Sequence, residues 1–211
     1  MMEKTVGIDL DKTLFVCDSL IYFLLNKINF NRGKKLKYKE IDPKGIYKGK
    51  TANKIFKFLN PSKYITYLDA VKTINELHEN GYKIYFVSNR PCLKLLVYLT
   101  VETLRRFGVC YDKLVLGCNN KAEYIKQEGI DYFIDDLALI CNSVVLRTDA
   151  KPLWFTPKVK EDRRAKKIFP ELEKFSTWNG IKEFFKKEIE EYTERKENKS
   201  HDENNKKIKS A

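Results

Sequence analysis

Three apolar runs, far apart in the chain, each stop at small polar residues, and this recurrence constrains the fold more than any other feature. Thr5-Val6-Gly7-Ile8 runs into Asp9-Leu10-Asp11-Lys12-Thr13, Ile84-Tyr85-Phe86-Val87 into Ser88-Asn89-Arg90-Pro91, and Ile130 to Ile134 into Asp135-Asp136. Short β-branched and aromatic runs of this kind read as strands buried on both faces, as a parallel sheet requires. Between them stand helical periods. Leu68 to Asn80 places Ala70, Val71, Ile74 and Leu77 on one face and stops at Gly81, where a left-handed cap residue belongs. The alternation predicts an α/β fold, a Rossmann-like parallel sheet with helices on both faces. In such sheets ligands bind at the carboxyl ends of the strands, where this chain gathers its polar groups.

The first strand end carries Asp9 and Asp11, which share a face if the backbone stays extended. Like charges that close cost energy unless a cation or a shared proton relieves them, and Mg2+ suits an all-oxygen set that also includes waters and a substrate phosphate. A polar strand end that merely caps the next turn is the plain alternative; a second acidic end at Asp135 and Asp136 weighs against it. Asp131 opens its strand at the opposite sheet edge and is left out. Ser88 to Pro91 reads as the start of a helix running to Phe107, with Pro91 at a first helical position. Its amides would favour a phosphate; Ser88 or Asn89 would equally serve as a helix cap, and Arg90 either reaches a phosphate or lies exposed. Lys121 stands at a loop-to-helix junction, where a lysine is usually only solvated.

As an ordered set these residues resemble the signature of the haloacid dehalogenase-like phosphohydrolases: an Asp-x-Asp-x-Thr strand end, a later Ser or Thr, a Lys, and a closing acidic pair. The layout is most similar to their 5'(3')-deoxyribonucleotidase-type branch, over roughly the first two thirds of the chain. The resemblance implies Asp9 as nucleophile and Asp11 as general acid and base. It implies Ser88 and Lys121 on the phosphate, where the turn residues Asn89 and Arg90 join them as candidates, and Mg2+ held by Asp9, the Asp11 carbonyl and Asp135 or Asp136. Thr13 would hold the loop, and Lys12 occupies a position that is often small in the family. Thr148-Asp149-Ala150-Lys151 matches the family's later loop poorly. The implied activity is phosphomonoester hydrolysis through an aspartyl-phosphate, on nucleoside 5'-monophosphates. The alternatives are a phosphatase acting on the phosphorylated end of DNA or RNA and a silent nucleic-acid-binding protein on the same fold.

The 211 residues accommodate one domain with an insert. Residues 1–13 and 67–194 read as the core. Residues 14–66 read as a small, mostly helical cap, with helices at Ser19 to Ile28 and Thr51 to Leu59, and 195–211 as a frayed, charged tail. Asn142 to Leu146 reads as a strand, Arg147 to Phe155 as turns around Pro152, and Trp178 to Tyr192 as the last helix. The net charge of +12 is uneven: Leu14 to Ala70 holds twelve basic and four acidic residues, whereas Lys182 to Ala211 holds nine and eight. A basic cap suits polyanions, although a lysine-rich solvated surface has the same composition. The seven cap aromatics from Tyr22 to Phe58 read chiefly as cap core. Five scattered cysteines without metal spacing read as reduced core thiols of a cytoplasmic protein. No apolar run is long enough to span a membrane, and the N-terminus enters the first strand without a signal peptide.

Overall fold

The computed structural model describes residues 4–15, 38–42, 67–157, 169 and 171–209. β1 (Thr5–Ile8), β2 (Lys39–Glu40), α1 (Leu68–Glu79), β3 (Lys83–Val87), α2 (Lys94–Arg106) and β4 (Lys113–Leu116) form the first half. α3 (Lys121–Glu128), β5 (Tyr132–Asp135), α4 (Ala138–Arg147), β6 (Lys151–Phe155), β7 (Glu173–Phe175) and α5 (Trp178–Lys209) complete it. The sheet order is β2-β4-β3-β1-β5-β6-β7, parallel throughout except where β2 pairs antiparallel with the β4 edge.

The pleat sorts the core into two faces. Val6, Ile8, Ile84, Phe86, Tyr132 and Ile134 pack with α1, α2 and α5, whereas Val87, Val115 and Phe133 pack with α3 and α4. Period-two alternation in the strands therefore meets helices on each side. Gly7 belongs to the α3 face, and a Cβ there would lie 2.7 Å from Phe133 Cδ2, so β1 and β5 approach closely only because the residue is glycine. Along α1, Ala70, Thr73, Ile74 and Leu77 are the buried positions, and Gly81 beyond its end has φ 89°, as its place after the helix predicts.

Several expectations are corrected. Asn142 to Leu146 is not a strand but the body of α4. Its Val144-Val145-Leu146 run imitates a strand, yet within that run Val144 packs inward while Val145 and Leu146 are exposed. The turns expected from Arg147 to Phe155 are β6 from Lys151 onward, with Pro152 inside it. Lys151 N donates to Asp131 O on the β5 side. Pro152 therefore faces β7, whose pairing starts at Leu153, and no ladder bond is lost. The helix expected from Pro91 begins at Lys94. The last helix, expected over Trp178 to Tyr192, is longer and runs to Lys209, where the Lys- and Glu-rich sequence favours helix. Cys118 and Cys141 are buried as expected, but Cys110 is exposed. The cap helices, the cap aromatics other than Tyr38, and Cys17 lie outside the described residues. Among the described residues no helix is long and apolar enough to cross a membrane.

Candidate active site

The carboxyl ends of β1, β3, β4 and β5 lie side by side, and the predicted site residues fall on them. The Asp9 amide donates to Ile134 O at 2.9 Å, which extends the β1–β5 pairing past the strand and holds Asp9 in the pleat. Odd-numbered positions of β1 and β5 face α3, so Asp9 and Asp135 meet the first residue of that helix. Lys121 Nζ lies 2.6 Å from Asp9 Oδ1 and 2.7 Å from Asp135 Oδ2. All three are buried. Asn120 caps the helix, accepting from the Glu123 amide, which fixes where Lys121 enters the site.

Burial alone would push the Lys121 ammonium down; the Asp135 and Asp9 charges outweigh it and raise its pKa. For Asp9, burial leads and repulsion from Asp135 and Asp11 adds to it, so that the carboxyl rises to about 7 despite Lys121. Asp136 is partly buried, and burial followed by the Asp135 and Asp9 charges lifts it to about 8. Lys121 pairs with Asp9 and Asp135, and Lys12 and Lys121 both pull on Asp136, yet among the described residues burial and the mutual repulsion of the carboxyls outweigh these cations at Asp9 and Asp136.

Asp11 behaves differently. Its carboxylate receives both arms of Arg90, Nη2 to Oδ1 at 2.6 Å and Nε to Oδ2 at 2.8 Å. The same guanidinium donates to Thr100 Oγ1 at 3.0 Å and lies 4.7 Å from the Phe15 ring centroid. Arg90 is therefore neither exposed nor simply aimed at a phosphate; it is built against Asp11. Phe15 and Thr100 are partners that no motif marks. Ser88 is buried, and its hydroxyl oxygen accepts from the Arg90 amide at 3.3 Å, which leaves its proton to donate elsewhere. Gly117 N to Arg90 O (2.7 Å) and Cys118 N to Ser88 O (3.0 Å) stitch this turn to the loop before Lys121. Asn89 is exposed.

The loop after Asp11 closes on itself through Leu14 N and Phe15 N to Leu10 O. Lys12 takes φ 64°, the left-handed conformation that a small residue would adopt more easily. Thr13 Oγ1 is buried with no hydrogen-bond partner among the described residues, while its carbonyl accepts from Trp178 Nε1 at 3.0 Å. Across the site, Asp135 Oδ1 accepts from the Leu137 amide and Asp136 O from Trp154 Nε1.

Among the described residues no three His, Cys, Asp or Glu side chains converge as a ready-made cage. Mg2+ usually takes one or two carboxylates and completes its shell with water and substrate oxygen. The carboxylates of Asp9, Asp135 and Asp136 at this edge are oxygen donors of the kind such an ion takes.

A HAD-superfamily hydrolase from Ehrlichia chaffeensis is similar over 90% of this chain and 100% of its own, with TM-score 0.51 and 14% identity. A HAD phosphatase from Thermococcus onnurineus is similar over 86% and 97%, with TM-score 0.52 and 16% identity. D,D-heptose 1,7-bisphosphate phosphatase from Burkholderia thailandensis is similar over 87% and 98%, with TM-score 0.50 and 13% identity. The fold is the haloacid dehalogenase fold. No protein family's sequence profile and no curated protein matches the chain. Likeness at this identity establishes the haloacid dehalogenase architecture, and the chemistry has to come from the side chains at its sheet edge.

Proposed function

We propose that the protein is a Mg2+-dependent phosphomonoester hydrolase that works through an aspartyl-phosphate. The observation that carries this reading is the buried ammonium of Lys121 joining Asp9 and Asp135, acids distant in sequence that end the neighbouring strands β1 and β5, at the carboxyl edge of the sheet. An Asp9 oxygen attacks phosphorus as the ester P–O bond breaks, and Asp11, once one of its oxygens is released from Arg90 and protonated, passes that proton to the departing oxygen. Asp11 then takes a proton from water, the water oxygen attacks phosphorus, and the Asp9–phosphorus bond breaks to release inorganic phosphate. Ser88, the turn at Asn89 and Arg90, and Lys121 hold the phosphoryl oxygens, since this chemistry demands mostly positioning and charge compensation. Mg2+, held by Asp9, the Asp11 carbonyl and Asp135 or Asp136, supplies charge neutralisation when bound.

The proposed substrate is a nucleoside 5'-monophosphate, on the likeness of the motif layout to the deoxyribonucleotidase branch, with residues 14–66 as the cap that selects it. The basic excess in that insert favours a second reading, a phosphorylated polynucleotide end. Phosphate release from both substrate classes, with and without Mg2+ and across ionic strength, separates them. Polynucleotide affinity falls steeply with salt through counterion release, and mononucleotide affinity falls mildly. Asp9→Asn should abolish release while the fold persists. Retained activity in that variant would refute the nucleophile, and absence of Mg2+-dependent release from any phosphate ester would leave a silent binding protein.

A further inference from the structure

The chain has two tryptophans, and each donates its indole N–H to a backbone carbonyl of one acidic loop. Trp178, the first residue of α5 and 2% exposed, donates to Thr13 O at 3.0 Å, in the loop that follows Asp9 and Asp11. Trp154, on β6 and 3% exposed, donates to Asp136 O at 3.1 Å. Both carbonyls lie off the sheet ladder, the Thr13 carbonyl buried and the Asp136 carbonyl partly so, and an indole supplies the donor that no strand bond does. The two indoles are also mechanically joined. Trp154 pairs in register with Asp135. The next residue, Phe155, points to the other face of the sheet and packs on Trp178 with ring centroids 5.7 Å apart.

We propose that Trp154 and Trp178 are positioning residues: an indole clamp that sets the separation of the two acidic loops, with the end of β6 as its joint. The proposal rests on the reading of those loops as one active site. Neither residue touches the reacting atoms. An indole that only fills the core would lower stability when trimmed and leave turnover alone; a clamp would lower turnover with substrate affinity nearly unchanged.

The experiment compares Trp154→Phe, Trp178→Phe and a control, Tyr132→Phe. Phenylalanine keeps an aromatic ring in each place and removes the polar hydrogen. Tyr132 bonds Lys4 and Glu188 at the opposite edge of the sheet, away from the site. Both tryptophan variants should lose about 10-fold or more in kcat, as small misplacements of reacting groups do, with KM within about 3-fold. The control should lose comparable thermal stability and keep its kcat. Amide hydrogen exchange on the metal-free full chain reads the clamp without turnover. Trp178→Phe should speed exchange at Lys12, Leu14 and Phe15, and Trp154→Phe at Leu137, each at least about 10-fold against the rest of the core. Unchanged exchange at those amides, or kcat losses no larger than the control's, would overturn the clamp. A wild-type protein that hydrolyses no phosphate ester would instead overturn the phosphatase reading, and the exchange pattern would still decide the clamp.

Discussion

Asp136→Asn should stabilise the metal-free protein by an amount that grows as pH rises from about 4 to about 8. Burial, then the neighbouring Asp135 and Asp9 charges, lift the Asp136 carboxyl from 3.8 to about 8. The folded protein therefore keeps a proton that the unfolded chain releases between those values. Stability is complete below the unfolded pKa and declines as pH rises through the folded one. A span of about four pH decades corresponds to about 5 kcal/mol, and solvent screening of a partly buried group reduces this to about 2–3 kcal/mol. Asparagine carries no charge to repel, so the variant should melt about 5–10 °C above wild type at pH 8.5 in EDTA, given the midpoint shift per kcal/mol for a chain of this size. The gap should close near pH 4.5. In millimolar Mg2+ the wild-type midpoint should rise and the variant's should move less, because the cation relieves the same repulsion. Thermal unfolding at three pH values, with EDTA or Mg2+, measures all of this. A variant no more stable than wild type at pH 8.5 in EDTA would refute the account of an Asp136 carboxyl destabilised by burial and by its acidic neighbours.

Lys121→Met strands two buried carboxylates and should cost about 3–5 kcal/mol in urea unfolding at pH 8. Part should return near pH 5, where Asp9, raised to about 7 by burial first, takes up a proton. Arg90→Ala should lower kcat/KM about 100-fold in steady-state assays, and Arg90→Lys should recover little of it, since a point charge cannot replace the two-armed contact on Asp11. Gly7→Ala forces a methyl against Phe133 and should lower stability by about 1–3 kcal/mol in thermal or urea unfolding.

The sequence announced the strands that carry the site because β1, β3 and β5 are buried on both sides, and such strands are written as unbroken apolar runs. It hid β6 behind Pro152, whose missing amide matters only if the residue faces a paired neighbour, and pairing partners are not visible in one dimension. α4 imitates a strand for the opposite reason. Val144, Val145 and Leu146 have strand-like character, but the preceding bonds from Ile140 N and Cys141 N to Leu137 O had already set a helical turn.

Within the site, legibility follows the pleat. Asp9 and Asp135 lie two residues beyond Gly7 and Phe133, which touch each other, so strand parity alone aims both acids at the same helix and at Lys121. Asp11 lies past the end of that regularity. Once the chain turns at Lys12, no periodicity says where the carboxylate points, and the guanidinium that meets it comes from 79 residues away. The same holds for Thr13 and Trp178, 165 residues apart. Acids on strands are placed by local geometry, whereas acids on loops must be held by distant side chains. A change at Trp178 or Arg90 should therefore disturb Asp11 while Asp9 stays in register.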